Sequence, residues 1–250
     1  MSPIPSHIAK KDNGASSEFA FVRSEIIQSF NRVPAGLAEP HGLFLKFAGG
    51  GKRTPIFWCF NNWAEPVLLS RQLGPDQPLY AMSSLHGIVR GKALKRVHAK
   101  DLAVAYADQL LQLAPEGPVL IGGNCQAAPV AEAMAHHVVA HSGRTPLLMT
   151  LEHTLFYCYP GSVLMMFGSE SHKFNPFLQG VDPLPRWSAQ HRRVAWGQVA
   201  GPHGRFFVEP GILDLAAFIR ATASAFCAEG ELRPGEIRRE AEALQPLESC

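Results

Sequence analysis

What the chain lacks narrows its class first. The five cysteines, at 59, 125, 158, 227 and 250, contain no C-x-x-C pair, and an odd number cannot all pair within one chain. Neither a zinc site nor a disulfide framework is therefore expected, and no His or Cys cluster has metal-ligand spacing. No run of eighteen uninterrupted apolar residues occurs, and the N-terminus M-S-P-I-P-S-H-I-A-K-K-D-N-G has no apolar secretion segment. A cytoplasmic protein with no membrane partner is expected. Net charge is also scarce, only +2 and spread along the chain, which gives no footing for nucleic acid or an anionic membrane. The stretch A-G-G-G-K-R-T lacks the G-K-[S/T] of a phosphate loop and precedes a strand instead of following one.

What is present reads as a sizeable core. A chain of 250 residues with 46% hydrophobic content is long enough for one large domain. Residues 1–17, polar with Pro, Gly and Ser, are expected to form a flexible arm. Residues 18–228 form the domain, and 229–250 a charged, partly helical tail. A short helix is expected over 18–30 and an edge strand over 42–47. Apolar runs at 55–60, 79–82, 119–121, 147–151, 163–167 and 193–199 read as strands. Between and after them, 66–73, 101–113, 126–141 and 212–226 read as helices. Strands alternating with amphipathic helices indicate βαβ units, hence an α/β fold with a mostly parallel sheet covered on both faces.

Residues 119–128, V-L-I-G-G-N-C-Q-A-A, place Cys125 where a strand turns sharply into a helix. A nucleophile there stands clear of the sheet, and the N–H of the next residue, Gln126, points at a developing oxyanion. The turn demands small residues on either side, supplied by Gly123 and Ala127, with Gly122 and Ala128 beyond them. G-x-C-x-A thus meets the steric requirement of G-x-S-x-G with sulfur in place. The helix N-terminus is expected to lower the thiol pKa towards the thiolate. The competing reading is a small buried cysteine that merely packs.

A thiol nucleophile needs a base, and at such elbows the chain order is nucleophile, acid, histidine. His136, His137 and His141 follow Cys125 on its own helix and face away from its start, so they read as solvated or packing residues. His203, in V-A-G-P-H-G-R-F-F-V-E-P, follows the last strand on a loop that can carry it over the sheet edge. Glu152 ends the apolar run L-L-M-T-L-E-H and is the expected orienting acid. Glu170, after the following strand, and Asp182, in G-V-D-P, are the alternatives.

These residues resemble the thioesterases of nonribosomal peptide and polyketide assembly lines, a branch of the α/β-hydrolases. The similarity spans about residues 42–222. It is carried by G-G-G-K-R-T-P-I-F-W-C-F, L-S-R-Q-L-G-P-D-Q-P-L-Y-A-M, the segment D-L-A-V-A-Y-A-D-Q-L-L-Q-L-A-P-E-G-P-V-L-I-G-G-N-C, V-D-P-L-P-R-W and G-P-H-G-R-F-F-V-E-P. The resemblance implies an α/β-hydrolase fold and puts nucleophile, acid and base on Cys125, Glu152 and His203. It implies a substrate held as a thioester on the phosphopantetheine arm of an acyl or peptidyl carrier protein, or on coenzyme A, with no bound cofactor and no metal. Two departures stand out. Where the family shows H-P-A-G-G, this chain has F-N-N-W-A-E, so the second oxyanion N–H would come from Asn62 or Trp63. Only H-T-L-F-Y-C-Y-P-G-S separates Glu152 from Val163, too little for the family's helical lid, so a reduced or absent lid is expected.

Hydrolysis of the acyl-Cys is the default expectation. Transfer to another carrier thiol or an amine is the alternative, because a thioester keeps its transfer potential. A dienelactone-hydrolase-like small-molecule enzyme and a non-catalytic α/β-hydrolase scaffold are the other readings. The basic stretch 91–100, G-K-A-L-K-R-V-H-A-K, is either a solvated connection or a dock for an acidic carrier through Lys92, Lys95 and Arg96.

Overall fold

A computed structural model describes residues 12–48, 50–86, 88, 92–180 and 182–232, with the side chains of 12–18 and 92–97 left out. The described strands are β1 (Glu39–His41), β2 (Phe44–Phe47), β3 (Ile56–Phe60), β4 (Leu79–Ser83), β5 (Leu120–Asn124), β6 (Leu147–Leu151), β7 (Ser162–Gly168) and β8 (Arg193–Val199). The helices are α1 (Asp12–Ser29), α2 (Ala64–Leu73), α3 (Lys92–Leu113), α4 (Ala128–Ser142), α5 (Leu184–Gln190) and α6 (Gly211–Glu229). The strands form one sheet in the order β1-β2-β4-β3-β5-β6-β7-β8. The β1–β2 and β2–β4 pairs are antiparallel, and every other pair is parallel.

The parallel part is built from strands whose residues are buried on both faces: β3, β4, β5, β6 and β7 contain no exposed residue. Continuous apolar strands need helices on each side to exclude water from the backbone ladder. Helices α3 and α4 pack together, and α6 packs against α2 and β8. Among the described residues α6 is the one helix long and apolar enough to cross a bilayer. Its Ile212, Leu215, Phe218, Ile219 and Phe226 are buried in the core, so that apolarity serves the sheet face.

Several elements differ from the sequence reading. Helix α3 begins at Lys92, so the basic stretch forms its first turns instead of a connection. The side chains of Lys92, Lys95 and Arg96 themselves fall outside the described residues. Helix α1 starts at Asp12, inside the segment expected as a flexible arm. The edge strand is β1, with β2 one place in, and the short helix α5 precedes β8. Residues 1–11 and 233–250, the ends of the expected arm and tail, lie outside the described residues. No helix lies between β6 and β7, so the position of the expected family lid holds only a loop.

Strand β3 is flanked by β4 on one side and β5 on the other. The connection leaving β3 runs to β4 and the one leaving β5 runs the other way to β6, opening a crevice at the strands' C-terminal ends. Trp58 of β3 sits opposite Gly122 of β5. A Cβ on Gly122 would overlap the Trp58 ring, and Trp58 is fully buried with no room to retreat. Gly122→Ala is therefore expected to cost about 1–3 kcal/mol through overpacking, measured as a lower midpoint in urea unfolding at unchanged slope.

Candidate active site

Three strand ends deliver the site. After β5 the chain turns through Cys125, whose φ of +50° is the left-handed conformation of a sharp elbow. Small residues make this possible: a Cβ at Gly123 would come within 3.0 Å of both the Ala128 Cα and the Ala131 Cβ. Cys125 is half-buried, Gln126 is exposed, and a 3-10 turn over Cys125–Ala127 leads into α4. Together they line a cleft of about 650 Å³ with Asn61, Asn62, Glu65 and His203.

Glu152 follows β6 and also has a left-handed φ, +60°. Its carboxylate is buried, and each oxygen is engaged. Oε1 accepts the Gly168 N–H at 2.6 Å, while Oε2 accepts the Ser171 hydroxyl at 2.6 Å and faces His203 Nδ1 at 2.9 Å. With Nδ1 held there, Nε2 is the ring nitrogen left to act as base. Phe174 stacks on the other side of the imidazole at 4.3 Å between centroids. Glu170 is exposed, and the Asp182 carboxylate accepts the Leu184 N–H at the start of α5. The structure brings neither alternative acid to His203.

The loop that carries Glu152 is fixed from α4. Glu132, buried on that helix, pairs with His153 Nε2 at 2.8 Å and accepts the N–H groups of Phe156 and Tyr157 at 2.9 and 3.1 Å. The Thr150 hydroxyl donates to the His153 carbonyl at 2.9 Å. The remaining α4 histidines stay outside the site: His137 meets Asp108 at 3.0 Å and stacks on His141, and His136 packs edge-on against Tyr157 and Tyr159.

The loop after β3 puts Asn62 and Trp63, the expected sources of the second oxyanion N–H, on the wall of the cleft. The Asn62 side-chain oxygen accepts the N–H groups of Ala64 and Glu65 and so caps α2. The Trp63 indole is buried against Phe30 and donates to the Ser29 hydroxyl at 2.8 Å. The residue that sequence reasoning passed over is Glu65. Its carboxylate accepts the Asn61 N–H at 3.0 Å, the Asn62 side-chain amide at 2.8 Å and the Asn124 side-chain amide at 3.1 Å. Asn124, just before Cys125, is held in turn by the Trp58 indole N–H at 3.1 Å. The visible signal was an acid in the first turn of a helix, which ordinarily reads only as a dipole-friendly residue.

Burial is the main reason the Cys125 thiol rises from an ordinary 9.0 to about 12, and the carboxylates of Glu152 and Glu65 push it the same way. That rise corresponds to roughly 4 kcal/mol against the thiolate. A helix N-terminus returns about 0.3–1 kcal/mol, about 2 at best. The expectation of a helix-lowered thiol pKa is thus reversed.

No protein-family model matches the chain, and no curated protein matches it in sequence. Solved structures do share its architecture. The thioesterase domain of NocB from the nocardicin cluster aligns at TM-score 0.54 and 17% identity, over 72% of this chain and 98% of that one. The SrfTE thioesterase domain, which cyclises surfactin, aligns at 0.53 and 12%, over 71% and 93%. A four-domain nonribosomal peptide synthetase aligns at 0.55 and 12%, over 77% of this chain and 21% of its own. The chain has the α/β-hydrolase fold. At these identities the likeness speaks for the fold alone, and the chemistry has to come from the cleft.

In a His203→Ala variant, alkylation of Cys125 by iodoacetamide, followed by peptide mass, is expected to climb steadily from pH 6 to pH 10 without a plateau. A plateau below pH 8 would mean that the thiol ionises unaided and that the raised pKa is wrong.

Proposed function

We propose that this chain is an enzyme that cleaves thioesters by way of an acyl-Cys125 intermediate, with Cys125, His203 and Glu152 as its triad. The observation that carries the reading is the Glu152–His203 hydrogen bond at 2.9 Å on the wall of the cleft that Cys125 lines. The α/β-hydrolase fold, shared with thioesterase domains, supports the same choice.

In this scheme His203 Nε2 takes the Cys125 proton as Sγ attacks the thioester carbonyl carbon. Glu152 steadies the imidazolium that forms, and the Gln126 N–H faces the oxyanion, with a second donor from Asn62 or Trp63. Collapse breaks the carbon–sulfur bond to the leaving thiolate, which recovers the proton from His203. The acyl group is then on Cys125. His203 next deprotonates the acceptor, which attacks the acyl-Cys carbonyl and releases Cys125 as a thiolate that is reprotonated. Water gives hydrolysis, and a carrier thiol or an amine gives transfer. Because the pKa of Cys125 is pushed up, proton removal is coupled to attack, and acylation depends on His203 more strongly than it would for a preformed thiolate.

The substrate in this reading is an acyl, aminoacyl or polyketide group on the phosphopantetheine of a carrier protein or on coenzyme A, in the cytoplasm, with no bound cofactor. Transfer has one observation in its favour: the crossover between β6 and β7 has no helix to cover the cleft, so a second bulky carrier can approach.

Two experiments test this. With an acyl-loaded carrier protein, intact mass is expected to show a Cys125 adduct in the wild type, none in Cys125→Ala, and acylation slowed by about 10²–10⁴-fold in His203→Ala. Release of free acid marks hydrolysis, and discharge only to added empty carrier marks transfer. Turnover of free lactones without any adduct from carrier substrates would favour the small-molecule hydrolase, and no adduct with any thioester would favour a non-catalytic scaffold. Separately, charge reversal at Lys92, Lys95 and Arg96 is expected to slow turnover of carrier-bound substrate at low salt but not of a small free thioester. Equal slowing of both would exclude α3 as the carrier dock.

A further inference from the structure

The cleft beside Cys125 contains a carboxyl group that the thioesterase scheme does not use, its pKa raised chiefly by burial. Glu65 is the one carboxylate among the described cleft-lining residues. Every partner of its carboxylate is a neutral N–H: the backbone of Asn61 and Asn62 and the side-chain amides of Asn62 and Asn124. Neutral donors stabilise a carboxylate without cancelling its charge. Among the described residues, the fixed cation bordering the cleft is Arg32, which is exposed and is not paired with Glu65.

A charge placed there works against the chemistry proposed for the cleft. It disfavours the Cys125 thiolate and any oxyanion that forms next to it. It is nonetheless held by an organised set of bonds that runs from Trp58 through Asn124 to the first turn of α2. Its liability disappears when the bound substrate brings a positive charge. An ammonium beside Glu65 would offset the charge of the carboxylate and ease ionisation of the neighbouring thiol. A purely aliphatic acyl chain would instead bury the carboxylate further with nothing to offset it.

We propose that Glu65 is the subsite for the ammonium of an aminoacyl thioester, so that Cys125 accepts acyl groups with a free amine near the carbonyl in preference to plain fatty or polyketide chains. This rests on the acyl-Cys125 reading above and narrows its substrate class. Glu65 then acts as a specificity residue.

The test compares three N-acetylcysteamine thioesters of similar size: leucyl, its desamino isostere 4-methylpentanoyl, and N-acetyl-leucyl. In the wild type at pH 7, leucyl is expected to acylate Cys125 with a kcat/KM about 10–100-fold above the other two, the range given by one hydrogen-bonded charge pair. This comparison needs no variant. Glu65→Gln is expected to bring the leucyl-to-desamino ratio to within about threefold of one, and Glu65→Asp to keep a preference for leucyl. Equal rates for all three thioesters in the wild type, or a Glu65→Gln variant slowed on each while keeping the ratio, would overturn the ammonium subsite and leave the acyl-Cys125 reading intact. Failure of every thioester to acylate Cys125 would overturn that reading, and the subsite with it.

Discussion

The site depends on one buried carboxylate. Glu152 is taken out of water, which costs several kcal/mol for an ion left unpaired, and it is made tolerable by donors from three separate segments: the Gly168 N–H, the Ser171 hydroxyl and His203. Each donor fixes something else. Gly168 ties Glu152 to the end of β7, Ser171 shapes the turn after that strand, and His203 is drawn over the sheet edge from beyond β8. A left-handed φ at a glutamate costs of order 1 kcal/mol or more and persists only where the surroundings determine it. Here they do, through the Glu132–His153 pair on one side and the three donors on the other. The crossover from β6 to β7 can therefore do without a packed helix, because buried polar bonds hold it from α4.

Electrostatics in the cleft is set by two acids: Glu152 faces His203 Nδ1, and Glu65 sits among neutral N–H donors in the first turn of α2. Both acids and the burial of the sulfur move the thiol in one direction, and the α4 N-terminus is too weak to reverse them. A cysteine with a low pKa would be reactive towards any electrophile that reached it; burial and both carboxylates work against that state at Cys125.

Much of this was legible in the sequence, and the exceptions have a common cause. Strands 147–151 and 193–199 match β6 and β8 residue for residue, because largely apolar runs flanked by turn residues leave little freedom. The elbow was legible for a similar reason, since Gly123 and Ala127 are required by steric closeness that sequence displays directly. The first turns of α3 were missed because a cluster of Lys and Arg behind glycine reads as a loop, although these side chains are good helix formers. Helix α5 was missed because seven residues with a proline give hardly one turn of periodicity. The direction of the Cys125 pKa and the part played by Glu65 were out of reach for a deeper reason. Both depend on burial and on charges distant in sequence, with Glu65 and Asn124 fifty-nine positions apart. A local pattern reports which groups are present and says nothing of the dielectric around them.

Sulfur at the elbow and a helix-free crossover between β6 and β7 bear on the same physical compromise. A serine ester lies downhill from a thioester donor, so an acyl-Ser enzyme has already spent much of the transfer potential, whereas an acyl-Cys lies close to the donor in free energy and can pass its load on. That advantage is useful only if the acceptor outcompetes water. In the acyl-Cys125 scheme proposed above, with no helix in the β6–β7 crossover to act as a lid, selectivity rests on the rate at which each acceptor is activated. There His203 takes a proton from the acceptor, and a carrier thiol gives up its proton far more readily than water does. Among acceptors that reach the same carbonyl with equal geometry, that scheme favours a thiol on acidity alone.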